Sequence, residues 1–298
     1  MMNNFDLRQR MRRVIKPNFQ VLLVIALIVS LPGLLVSVIT VLTGSDLATY
    51  LYNSGIDTSA TVERLAEAME SYVAQRGWMV WLLTLLQLLV TPVLSLGCIN
   101  AILTLLRGGT AAVGTVFSRV NATLRVIGLS LVTLVKTFLW LLPGALLMML
   151  ALFLLIQTQS IGLYLAVMMV ALGLMLALML MAVYRYAMAL YILADEPETG
   201  VLNCIRRSKA VMKNRKLQLF SLELPYMAGS WLAGSFIALM LEGVIGTTLS
   251  LAVQLVFMVY VYGARCVFYE AYSRPGGGRA HAFQSDPYHD NEMKDNLS

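Results

Sequence analysis

The sequence predicts an all-α, polytopic membrane protein, and three observations carry that expectation. Of the 298 residues, 59% are hydrophobic and only 13% are charged, against about a quarter charged in an average soluble domain. The apolar residues come in runs long enough to cross a hydrocarbon layer, which takes about 20 residues as a helix. The cations gather at the ends of those runs, the distribution that orients a chain in a membrane.

Six runs qualify, at 19–43, 78–106, 126–157, 160–190, 217–241 and 244–271. They predict six transmembrane helices arranged as three hairpins, joined on the cytoplasmic side by short amphipathic helices. A basic cytoplasmic segment, 1–18, precedes the membrane domain, 19–272, and a cytoplasmic tail, 273–298, follows it. All but Arg64, Arg76 and Lys136 of the 22 lysines and arginines then lie on one side. Short cytoplasmic loops hold such an excess, so both termini are placed in the cytoplasm. Five or seven crossings would put a basic cluster outside. The first run is about 25 residues, against 7–15 for a cleaved signal, and reads as a retained anchor.

The one sizeable outer segment is 44–77. Val62, Leu65, Met69 and Val73 recur at helical spacing, which predicts an amphipathic helix on the outer face. Thr58 or Ser59 is its expected cap, and Trp78 and Trp81 suit the interfacial layer. Proline stands in each odd-numbered span, at Pro32, Pro143 and Pro225. Three parallel repeats of basic helix plus hairpin would account for that, although the spacing from the last cation to each proline differs. In the fifth span Gly229/Ala233 and Gly234/Ala238 are small pairs one turn apart, which let helices approach closely.

Chemistry has few places to reside. The only histidines, His281 and His289, lie in the polar tail. No His/Cys metal set and no Ser-His-Asp arrangement is therefore expected inside the membrane. Cys98, Cys204 and Cys266 are far apart and read as small packing residues. The 18 methionines are scattered among leucines and read the same way. The net charge of +6 does not point to nucleic acid, because the cations mark helix ends and not one binding face. No cofactor is expected.

Ionisable residues inside a span are costly and mark function by default. Two fall there. Lys136 is expected about 15 Å into the third span and Glu223 about 9 Å into the fifth, at 1.5 Å per residue. A long lysine stem could bridge the difference, so the pair is the candidate intramembrane polar site. Snorkelling of either toward the cytoplasm is the alternative.

The connection between the fourth and fifth spans carries Arg206, Arg207, Lys209, Lys213, Arg215 and Lys216. On a helix, Val201, Ile205, Ser208 and Met212 share a face. Such a segment suits the headgroup layer, where each cation attracts anionic lipid with about 1 kcal/mol. These six cations are assigned to lipid headgroups and orientation.

The stretches TFLWLLPG (137–144), YRYAMALYILADEPETG (184–200), IRRSKAVMKNRKLQLFSLEL (205–224) and VYGARCVFYEAY (261–272) resemble the bacterial integral-membrane family catalogued as domain of unknown function 975. The resemblance rests on Trp140, Pro143, Gly144, Tyr191, Asp195, Ser208, Met212, Lys213, Lys216, Phe220, Phe268 and Tyr269. It implies a multi-pass protein of the bacterial cytoplasmic membrane and supplies no activity or catalytic residue. The expected function is a non-enzymatic, permease-like or lipid-interacting component, with membrane lipids and an unidentified protein as its partners. The alternatives are a secondary transporter using Lys136 and Glu223, and a membrane scaffold or assembly factor.

Overall fold

The computed structural model describes residues 3–45, 47–55, 62–158, 161–241 and 243–273. Every regular element among them is helical. The longest are α2 (Phe19–Leu42), α5 (Trp78–Leu106), α6 (Thr123–Thr158), α7 (Ile161–Tyr186), α10 (Lys216–Met240) and α11 (Gly243–Tyr272). Shorter ones are α1 (Asn4–Ile15), α3 (Leu47–Asn53), α4 (Val62–Tyr72), α8 (Ala189–Asp195) and α9 (Val201–Val211). Asp46, Glu242, residues 56–61 with the expected caps Thr58 and Ser59, and the tail from 274 lie outside the described residues.

Among the described residues five helical stretches are long and apolar enough to cross a membrane: Phe19–Thr40, Glu63–Leu106, Thr123–Leu154, Gly162–Asp195 and Thr248–Tyr272. The sequence led us to expect six of this kind. α10 has the length, but Glu223, Pro225, three serines and two glycines dilute its apolar residues, and it falls short of the other five. Among the long helices, α2 packs along α5, α6 along α7, and α10 along α11. The small residues of α10 serve that last contact. Gly229 faces the ring of Phe257, and Gly234 faces the Ser250 hydroxyl.

The outer segment departs from the reading above. α4 does not stop before the long helix. A π turn, Val73–Gly77, carries it without a break into α5. Leu65, Met69 and Val73 form its exposed stripe. α3 is strapped to α4 by the Tyr50–Tyr72 ring contact and a 2.9 Å hydrogen bond between Tyr50 and Ser71.

The core occupies one end of the molecule. It gathers α1, the first half of α2, the last third of α5, the junction of α7 and α8, α9, the start of α10 and the last turns of α11. Away from that end the long helices present leucine, methionine, phenylalanine and tryptophan outward. The basic N-terminal segment belongs to this core. Leu7, Met11 and Ile15 of α1 are all buried, and the stripe continues through Leu22, Ile25 and Val29 of α2. That spacing of three and four residues keeps one face inward across the turn at 16–18.

Two glycines allow the closest approaches. A side chain on Gly263 would collide with Ile15, and one on Gly97 with the backbone carbonyl of Val116. The first seats α1 on α11. The second seats the 3₁₀ turn Val113–Phe117 on α5.

Candidate functional site

Ionisable groups converge where the core lies. Glu223, in the second turn of α10, is fully buried. Its carboxylate accepts from Arg265 of α11 through Nε at 2.7 Å and Nη2 at 3.0 Å. The Tyr184 hydroxyl of α7 donates to the same carboxylate at 3.1 Å. A fork of two nitrogens on two oxygens satisfies both charged groups in one plane, which is what a buried pair requires.

The second cluster grows from the turn after α8. Asp195, Glu196, the Pro197 carbonyl and Glu198 are successive acceptors, and between them they take three arginines from three different elements. Arg107, just past α5, reaches Asp195 at 2.7 Å and Glu270 of α11 at 2.6 Å. The Tyr269 hydroxyl donates to the other Asp195 oxygen at 3.0 Å. Arg207 of α9 grips Glu196 with both terminal nitrogens, at 2.5 and 2.9 Å. Arg125 of α6 donates to the Pro197 carbonyl at 2.5 Å and to Glu198 at 2.8 Å. The run Asp-Glu-Pro-Glu thus clasps the ends of α5, α6 and α11 and the middle of α9.

The local electrostatics follow from these contacts. The hydrogen bond from Arg207 holds Glu196 below the usual carboxylate range against the opposing effect of burial, and the Thr199 hydroxyl adds to it. Arg125 does the same to the exposed Glu198. Lys209 is pushed down, first by burial and then by the like charges of Arg185 and Lys136.

The candidate pair of Lys136 and Glu223 is therefore not brought together. Glu223 is taken by Arg265 and Tyr184, while Lys136 is half-buried on α6 in the neighbourhood of Lys209 and Arg185. The guanidinium of Arg185 lies 5.5 Å from the Trp140 ring centre, and the Lys209 ammonium 5.8 Å from that of Tyr186. The six cations assigned to headgroups divide. Arg206 and Lys213 are exposed. Arg207 is in the clasp, Arg215 stacks 4.4 Å from the Tyr272 ring centre, and Lys209 and Lys216 are half-buried.

Reading the residues missed Arg265, Tyr184, Arg107 and Glu270. A signal for the first was present. Glu223 stands seven residues after the start of α10 at Lys216, and Arg265 seven before the end of α11 at Tyr272, so antiparallel neighbours hold them at equal height. Among the described residues no group of three or more His, Cys, Asp or Glu side chains could hold a metal ion. Cys98, Cys204 and Cys266 are buried free thiols.

A family model with the description "Protein of unknown function (DUF975)" matches residues 1–274. No curated protein and no solved structure matches the chain.

Proposed function

We infer that this chain, which belongs to the DUF975 family, is a multi-pass, lipid-interacting component of the bacterial cytoplasmic membrane and not an enzyme. Its long helices cross six times as three hairpins, α2 with α5, α6 with α7 and α10 with α11. Both termini, α8, α9 and the clasp face the cytoplasm.

One observation carries the reading. The buried end and the apolar exposed remainder meet at a level marked by cations with no ion pair among the described residues. Arg12, Arg13 and Lys16 stand there on one side, and Lys136 and Arg185 on another. Apolar surface on this scale belongs in contact with lipid. Cations at its edge belong with phosphate headgroups. On this reading Lys136 snorkels to the headgroup layer, and Glu223 sits in the protein's own core above the hydrocarbon. α10 crosses despite its lower hydropathy because its one acid is neutralised by Arg265 before the hydrocarbon begins. The transporter alternative needed Lys136 and Glu223 at one place, and Arg265 stands there instead.

The test has two readouts. Reporters fused to either terminus should be active only in the cytoplasm, while a cysteine placed at Arg64 should label from outside. The purified protein should melt at higher temperature in vesicles rich in phosphatidylglycerol than in phosphatidylcholine alone, and salt should narrow that gap. A terminus found outside defeats the topology, and equal melting in the two lipids defeats the lipid role.

A further inference from the structure

Two cavities share one lining residue, Tyr226. The first, of about 710 Å³, is bounded by Arg12, Arg13 and Lys16 of the α1–α2 junction and by Tyr226 and Tyr260. Among the described residues no acidic side chain lines it. The two tyrosine rings are stacked, with centres 5.5 Å apart and planes within 5°, and Phe19 abuts Tyr260. This makes a basic mouth with an aromatic floor.

The second cavity, also about 710 Å³, is lined by Tyr226 as well and runs along the seam of α2, α10 and α11. Leu34, Met227, Leu255, Phe257 and Met258 make it mainly apolar, and the hydroxyls of Ser230 and Ser250 punctuate it. From Tyr226 to Ser235 it follows α10 for nine residues, about 14 Å at the helical rise. One leaflet of a hydrocarbon core about 30 Å thick is about 15 Å deep. The groove thus has the depth of one leaflet, and its mouth is on the side of the cations.

We propose that this groove holds a single anionic glycerophospholipid of the cytoplasmic leaflet. Its phosphodiester sits on Arg12, Arg13 and Lys16, and one acyl chain lies along α10 and α11. The mouth sets three cations against the single negative charge of a phosphodiester. The groove gives a chain a partner surface that a free phosphate would leave empty. The site rests on the orientation proposed above, which makes the mouth cytoplasmic, and it demands more than general attraction to anionic lipid. It demands one lipid per chain at one place.

The full-length protein in nanodiscs of equimolar phosphatidylglycerol and phosphatidylcholine, examined by native mass spectrometry, tests this. One phosphatidylglycerol per chain should be retained. Combining Arg12→Gln, Arg13→Gln and Lys16→Gln should lower that retention about a hundredfold, as three headgroup cations would. Ser230→Phe, which fills the groove and leaves the mouth intact, should also remove the adduct without lowering the melting temperature. Lys136→Gln with Lys209→Gln, cations at the other edge, should leave it in place. Loss of lipid in this last variant as large as in the triple variant would make the attraction diffuse; the site falls and the lipid role stands. Equal retention of both lipids by the unaltered protein overturns site and lipid role alike. Displacement of the lipid by glycerol phosphate at equal concentration overturns the groove's part. Displacement by a peptide of residues 285–298 makes the chain's own acidic tail the occupant.

Discussion

At the scale of single residues, the pairing of Glu223 with Arg265 has the largest consequence. The carboxylate has no exposed surface, and both its oxygens are occupied. Removing one partner of such a pair strands a charge and costs about 3–5 kcal/mol, whereas replacing both by apolar groups of similar size is near neutral. Arg265→Met should therefore lower the melting temperature of the protein in detergent by that equivalent. Adding Glu223→Leu should recover most of the loss. A double variant as unstable as the single one would mean that the pair does more than neutralise itself. Lys136 predicts the opposite behaviour. It is half-exposed beside the like charges of Lys209 and Arg185, so Lys136→Leu should leave stability within about 0.5 kcal/mol, the ordinary range for a surface site. A folding defect in the same melting assay would contradict its place at the boundary.

Among the elements, α8 and α9 with their acidic turn organise the rest. Tyr191, Ile192, Leu193 and Ala194 are buried, and the four residues after them tie down three arginines. One of these ties is pH-dependent in a defined direction. Glu196 is held below its ordinary carboxylate range, chiefly by the hydrogen bond from Arg207. A group whose carboxyl is depressed on folding stabilises fully above its unfolded value and loses that contribution as pH falls through the folded one. The pair is about half exposed, so its worth is at most about 1 kcal/mol. Hydrogen exchange of the α9 amides should accelerate as the pH drops below about 4.5, near the ordinary glutamate value. The Glu196→Gln variant should show the faster exchange at neutral pH and little further change on acidification. Protection in α9 that is indifferent to acid in the unaltered protein would remove this account of the turn. The position of α9's polar and apolar faces was legible beforehand, since Ile205, Ser208 and Met212 follow the helical period and are all buried. The burial of α8 was not legible. Its sequence reads as the end of an apolar span, and only the neighbours that close over it distinguish core from lipid.

For the whole molecule, the division into a packed end and an exposed apolar remainder sets the expectations. Among the described residues the core closes on α1 and on the last turn of α11, which ends one residue before Ser273. Truncation there should leave insertion and melting temperature unchanged, as measured on the solubilised protein. Deleting residues 3–15 instead should destabilise it strongly, because Leu7, Met11 and Ile15 are core residues whose loss costs about 2–5 kcal/mol each. Equal effects of the two deletions would argue against α1 as part of the core.

Apolar run length, helical period and the clustering of cations are local properties of a chain. They determined the helical class, the position of each long helix, the close contacts of Gly229 and Gly234, and the packing role of the cysteines. Partner choice is not local. The depth assigned to Lys136 and Glu223 counted each helix from its first apolar residue, as if hydrocarbon began there. In the folded chain the first turns of α6 and α10 are instead covered by α1, α8, α9 and α11. That cover moves Glu223 into a protein core, brings Arg265 to it across an antiparallel contact, and leaves Lys136 with other cations. Only the tertiary structure decides this, because an apolar surface is equally satisfied by lipid or by another helix, and the chain alone does not say which will meet it.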